Sequence, residues 1–328
     1  MGDEYRLGVS LEEIAGRHRR VLIQAPDGLK RLARRAAEAL RGMGVEAFLS
    51  AGHAWGGCDI AFREAEAVGA TAILHIGHHG PVRARLPRGI EVFFAPAEYL
   101  GSPLPAVEDA LRLLRGRRVA VAATVQHVGS LGAVEEALRA AGYEPVAREG
   151  PMGIRGLIIG CDYTALDVDA DSYLVVASGR FHGLGAALWT GSEIVVADPY
   201  TGTASAVNGK SVVARHLYSL SEALDAAEIL VVVSTKPGQY NLRGAERAAE
   251  MLRAAGRRVD IAVLDEVRRE ELENLGGYGA YINSACPRLG LDDPGLFPGP
   301  VLNLGETRYL LSRSLDGWSP RDAFRLQP

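Results

Sequence analysis

Cysteine is almost missing from this sequence: the 328 residues contain three, Cys58, Cys161 and Cys286. An odd number so widely spread forms no closed disulfide framework, so a small stapled scaffold is excluded. Lysine is just as scarce, with Lys30, Lys210 and Lys236 alone among 36 basic residues, so arginine carries the positive charge. Against 40 acidic residues the net charge is −4, without the basic excess of a nucleic-acid binder. No apolar run approaches the roughly 18 residues of a membrane span. Met1-Gly2-Asp3-Glu4 is acidic where a signal peptide is basic. The composition predicts a soluble cytoplasmic protein that engages neither membrane nor nucleic acid.

What is present is one pattern written three times. Ala39-Leu40-Arg41-Gly42-Met43-Gly44, Ala137-Leu138-Arg139-Ala140-Ala141-Gly142 and Met251-Leu252-Arg253-Ala254-Ala255-Gly256 each read as the end of an amphipathic helix closed by a glycine. Each follows a short apolar run, Val21 to Ala25, Val119 to Ala123 and Ile229 to Val233, continuous as in a strand covered on both faces. The runs recur about every 100 residues, too far apart for a solenoid and right for small domains. The pattern predicts an α/β protein of three repeated β/α domains with parallel sheets, 1–105, 106–207 and 208–328. Second strands are expected at Val45 to Leu49, near Leu157 to Gly160 and at Val259 to Leu264. Third strands are expected at Ala72 to Ile76, Tyr173 to Ala177 and Val301 to Leu304. Ser10 and Glu13 have capping-box spacing and predict a helix within residues 1 to 19.

Each repeat holds one cysteine in a glycine- or proline-flanked loop, about 15 residues ahead of its expected third strand. Ligand groups in parallel sheets gather on loops at the carboxyl ends of strands. A pseudo-three-fold arrangement of the repeats therefore turns three thiolates toward one centre. Zinc sites favour close Cys-x-x-Cys pairs, which are absent, although a Cys₃His site with His53, His79 or His182 is open. A 4Fe-4S cluster on three thiolates leaves one iron without a protein ligand, a position for chemistry on a small molecule.

The motifs around these residues are similar to the diphthamide synthase family in its archaeal form. They are Pro26-Asp27-Gly28-Leu29-Lys30, Gly57-Cys58-Asp59, Gly160-Cys161-Asp162, Gly179-Arg180-Phe181-His182, Asp198-Pro199-Tyr200, Ser234-Thr235-Lys236-Pro237-Gly238-Gln239 and Ala285-Cys286-Pro287-Arg288. They span the chain in order. One departure is His78-His79, where many relatives place Ser-Cys after the histidine.

The resemblance implies a homodimer whose subunits each hold a 4Fe-4S cluster on Cys58, Cys161 and Cys286, these three acting in catalysis through it. It implies that S-adenosylmethionine is cleaved after one-electron reduction, the electron coming from a separate donor. Methylthioadenosine leaves, and a 3-amino-3-carboxypropyl radical adds to the imidazole C2 of a histidine in translation elongation factor 2. Clamping that cofactor takes a cation for its carboxylate, and Arg180, Lys236 and Arg288 lie beside ligand or strand-end loops. Asp27 and Gln239 are candidates for its other polar groups, and His182 for a proton relay. Quinolinate synthase resembles the same plan, with a small-molecule dehydration and no protein partner. A non-catalytic module with structural zinc is the alternative of another class.

Overall fold

A computed structural model describes residues 4–80 and 89–328. Its contacts divide the chain into two units. The first comprises residues 1–102, 125–129 and 236–239; the second comprises 103–124, 130–235 and 240–328. Two short loops that the repeat pattern assigns to later domains, Val125–Gly129 and Lys236–Gln239, thus pack with the first.

In the first unit, β1 (Tyr5–Leu7) is followed by α1 (Leu11–Arg17), whose N-cap Ser10 accepts the Glu13 N–H as expected. Then come β2 (Arg20–Gln24), α2 (Lys30–Gly42), β3 (Glu46–Leu49), α3 (Phe62–Ala67), β4 (Ala72–Ile76), β5 (Glu91–Ala95) and β6 (Ala97–Tyr99). The four-stranded sheet runs β3-β2-β4-β5, all parallel. Its central strands are buried on both faces, which is why their sequences do not alternate. Val21 and Ile23 pack with Ala33, Ala36, Ala37 and Leu40 of α2. Leu22 and Ile73 pack with Ile60, Phe62 and Ala65 on the other side. Truncating the wholly buried Leu40 to alanine costs about 2–5 kcal/mol. Sequence reading missed β5, and also the antiparallel β1–β6 ladder, whose three-residue strands are too short to show a period.

The second unit carries two sheets. Its elements are α4 (Leu104–Ala110), β7 (Arg118–Ala123), α5 (Leu131–Ala140), β8 (Glu144–Val146), β9 (Ser172–Val176), α6 (Phe181–Thr190), β10 (Ile194–Asp198) and β11 (Thr203–Val207). There follow α7 (Gly209–Ala223), β12 (Glu228–Ser234), α8 (Leu242–Ala254), β13 (Arg258–Leu264), α9 (Arg269–Leu275), β14 (Ala280–Asn283), α10 (Pro287–Asp292), β15 (Val301–Asn303) and α11 (Thr307–Ser312). One sheet runs β8-β7-β9-β10 in parallel with β11 added antiparallel, and the other runs β13-β12-β14-β15, all parallel. The three larger sheets share one order: second, first, third, fourth strand.

The repeated helix endings are also the same structure. Gly44, Gly142 and Gly256 adopt φ of +80°, +87° and +83°. Each donates to the carbonyl three residues back, and the next residue donates to the carbonyl five back, at Leu40, Leu138 and Leu252. This is the Schellman pairing, and it explains why the glycine recurs.

Two expected strands are corrected. Leu157–Ile159 forms no strand; it touches Ala123 through a single bridge, and β8 lies further upstream. In the last repeat the third strand is β14, a short segment that the sequence reading left unassigned, and Val301–Asn303 is the fourth. Cys58 and Cys161 therefore sit between second and third strands, whereas Cys286 sits between the third and fourth.

Candidate active site

In the first unit the loop after β3 brings Cys58 against Lys236–Gln239. The Gly238 N–H donates to the Cys58 carbonyl at 2.7 Å, and a Cβ on Gly238 would lie 2.5 Å from the Cys58 Cα. Only glycine allows that approach. Gln239 donates its amide N–H to Cys58 Sγ at 3.4 Å. Lys236 Nζ reaches Asp59 Oδ1 at 3.0 Å, both side chains nearly buried, and Asp59 Oδ2 accepts the Trp55 N–H. Burial pushes the Cys58 thiol up, as does Asp59, whereas the Gln239 hydrogen bond and Lys236 favour its thiolate. The structure thus places Gln239 on the Cys58 sulfur and Lys236 on the neighbouring Asp59, a residue quoted only as part of a motif, which anchors the lysine.

Beneath this loop lies a chain of buried polar groups that sequence reading did not assign. Gln24 ends β2 and His75 interrupts the apolar β4, and that polar residue in an apolar strand was the available signal. The Ala61 N–H donates to Gln24 Oε1, while Gln24 Nε2 donates to the Asp59 carbonyl at 2.9 Å, which settles the amide orientation. His75 Nδ1, 3.1 Å from that same Oε1, must carry the proton. Its Nε2 then accepts from His78 Nδ1 at 2.9 Å, leaving a lone pair on His78 Nε2. Both rings are neutral: burial, and His78 beside it, holds His75 at about 3, and burial holds His78 at about 4.

In the second unit, Cys161 follows β8 through a long crossover and Cys286 caps α10, with Pro287 opening that helix. Arg288 links the two regions. It donates to Gly160 O at 3.3 Å, to the Tyr163 hydroxyl at 2.5 Å, to Phe181 O at 2.6 Å and to both oxygens of Asp292. Burial works against the Arg288 charge, but Tyr163, Asp292 and Cys286 outweigh it and raise its pKa. Tyr163 is wholly buried, which raises its pKa strongly; Arg288 opposes that, while Asp292, Cys161 and Cys286 add to it. Asp198 of the Asp-Pro-Tyr motif accepts the Gly179 N–H and fixes the turn that carries Arg180.

The remaining sequence candidates are more exposed. Asp27 pairs with His53 at 3.1 Å, and His53 stacks on Trp55. Arg180 is exposed just before α6 and its side chain makes no hydrogen bond or ion pair among the described residues. His182 is half-buried against the Phe181 ring, and burial lowers the pKa of His79. None of the three cysteines is in a disulfide, and each is partly exposed. Among the described residues no group of three or more His, Cys, Asp or Glu side chains is gathered to hold a metal ion. The fit to an iron–sulfur group rests on donor chemistry: part-exposed thiols, with Lys236 and Arg288 beside them to balance thiolate charge. No helix among the described residues is long and apolar enough to cross a membrane.

A family model described as "Putative diphthamide synthesis protein" matches residues 25–321. The chain belongs to the diphthamide synthesis family. It is an enzyme of that family and a transferase, which sets aside the quinolinate synthase plan. The 2-(3-amino-3-carboxypropyl)histidine synthase of Pyrococcus horikoshii is 34% identical over 297 residues, covering 89% of this chain and 86% of its own length. The synthase of that name from Methanocaldococcus jannaschii is 23% identical, with 93% and 88% covered. The crystal structure of Dph2 from Pyrococcus horikoshii matches with a TM-score of 0.81 at 33% identity, covering 94% of this chain and 92% of that one. A further structure of that protein, with the same TM-score, contains a 4Fe-4S cluster.

Proposed function

We propose that this diphthamide-family enzyme transfers the 3-amino-3-carboxypropyl group of S-adenosylmethionine to the imidazole C2 of a histidine in translation elongation factor 2. Cys58, Cys161 and Cys286 would hold a 4Fe-4S cluster, the repeats placed around it as the sequence pattern expects. When bound, that group would supply one electron to the sulfonium, so that the bond from sulfur to the γ-carbon breaks and methylthioadenosine departs from a 3-amino-3-carboxypropyl radical; after the radical adds to C2, the C2 proton leaves and one electron returns to the group. The observation that carries the reading is the likeness, over most of both chains, to a synthase whose structure contains such a cluster.

The chain's own residues orient the cofactor and choose which carbon–sulfur bond faces the reductant. Arg180 and Lys236 serve the methionine carboxylate, Arg180 because its guanidinium is exposed and uncommitted, Lys236 because it stands beside Cys58. Gln239 holds the Cys58 sulfur and a cofactor polar group. Asp27 and the half-buried His182 contact the rest, His182 relaying a proton. The partners are elongation factor 2, an electron donor and a second copy of the chain.

The test is anaerobic incubation of the iron-loaded enzyme with dithionite, archaeal elongation factor 2 and S-adenosylmethionine labelled in the carboxypropyl group. Methylthioadenosine and label on one histidine are expected. Intact cluster without methylthioadenosine overturns the reading.

A further inference from the structure

Arg288 stands two residues after Cys286, where a cation for the cofactor carboxylate was expected. Its surroundings give it other work. A guanidinium has five N–H groups in a fixed plane. Here Nε donates to Asp292 Oδ2 at 2.5 Å, and Nη2 donates to Asp292 Oδ1 at 2.7 Å and to Phe181 O at 2.6 Å. Nη1 donates to the Tyr163 hydroxyl at 2.5 Å and to Gly160 O at 3.3 Å. Five donors meet five acceptors, none left over. The Phe181 ring covers the guanidinium with its centroid 3.8 Å from Cζ, and the residue is 3% exposed.

The fold is shaped to keep it there. A Cβ at Gly185 of α6 would lie 2.1 Å from the Tyr163 hydroxyl oxygen and 2.4 Å from Arg288 Nη1. Any larger residue would evict the guanidinium or the phenol. The two anchoring carbonyls are also telling: Gly160 immediately precedes Cys161, and Phe181 lies within the Gly-Arg-Phe-His turn.

We infer that Arg288 is a positioning residue, binding the Cys161 turn to the Cys286 turn, and not a ligand for the cofactor carboxylate. The inference deepens the proposed cluster site, since it says which group sets the spacing of two of its thiols. Lysine cannot replace it, because an ammonium has three donors and no planar fork.

The test compares wild type with Arg288→Lys and Tyr163→Phe, each checked for fold by circular dichroism. The first readout uses the chain before iron is added: maleimide labelling rates of each cysteine, resolved by peptide mass spectrometry. Arg288→Lys is expected to speed labelling of Cys161 and Cys286 about tenfold and to leave Cys58 within about twofold, because local opening of one anchored region exposes only its own groups. Tyr163→Phe is expected to give a smaller rise at the same two sites. After reconstitution, the reduced cluster of Arg288→Lys should show altered g-values with S-adenosylmethionine affinity within about threefold of wild type. Unchanged labelling with affinity lost tenfold or more overturns the inference in favour of a carboxylate clamp. A rise at all three cysteines alike also overturns it. If wild type takes up no iron, the cluster reading fails while the labelling result still decides the role of Arg288.

Discussion

The tripeptide Gly-Cys-Asp occurs twice in this chain, and its two copies are built differently. At Gly57-Cys58-Asp59 the carboxylate is buried and answers a lysine 177 residues away in sequence. At Gly160-Cys161-Asp162 the carboxylate turns back on its own loop, accepting the Thr164 N–H at 2.9 Å and hydroxyl at 2.7 Å. Long-range fixing of the second cysteine falls instead to Arg288. The same word therefore encodes a tertiary tether in one unit and a local turn in the other. What decides is which cation the surrounding fold delivers: a lysine ammonium in the first unit, a planar guanidinium in the second.

Replacing a cysteine should have the largest effect. Cys58→Ala, Cys161→Ala and Cys286→Ala are each expected to abolish stable cluster loading, measured as iron, sulfide and absorbance near 400 nm after anaerobic reconstitution. Full iron content in any one of them would remove that residue from the ligand set. Next, Asp59→Ala leaves the nearly buried Lys236 ammonium without its carboxylate and is expected to cost about 3 kcal/mol in urea denaturation. Adding Lys236→Met to it should recover much of the loss; a double variant no more stable than Asp59→Ala argues against the tether.

Acid should strain the first unit through its histidine pair. Unfolded histidine titrates near 6.5, whereas burial holds His75 at about 3 and His78 at about 4. Below pH 6.5 the unfolded chain binds protons that the folded chain refuses, so stability is complete above that pH and falls toward pH 4. The loss is on the order of 3 kcal/mol for a single ring. The drop in urea midpoint between pH 7 and pH 4.5 should shrink in His75→Leu; an identical drop contradicts the assignment.

Gly238→Ala forces a methyl onto the Cys58 backbone and should cost about 1–3 kcal/mol, read as a lower melting temperature. Smallest is Asp162→Ala, which removes the two turn bonds to Thr164 from a half-buried loop and should cost about 1 kcal/mol. A loss equal to that of Asp59→Ala would erase the distinction between the two copies.

Much of this was legible in the sequence because it is local. The three glycine-closed helices and the first strands follow from spacing that any short window contains. The strand β14 escaped because three apolar residues between a glycine and a polar loop carry no period. The role of Arg288 escaped for another reason. Its five acceptors come from Gly160, Tyr163, Phe181 and Asp292, and only the last is near enough in sequence to be guessed. Lys236 and Gln239 were singled out because their motif was recognised, yet the pairing of Lys236 with Asp59 and of Gln239 with Cys58 needed the fold.

The place of Cys286 bears on how the chain arose. The three larger sheets keep one strand order, as copies of an ancestral unit should, but the last thiol hangs from a different crossover than the other two. Copying a single module with its cysteine would have put all three at matching joints. The joint that carries Cys286 therefore belongs to the last sheet alone, and the position of that thiol does not follow from the repeated strand order.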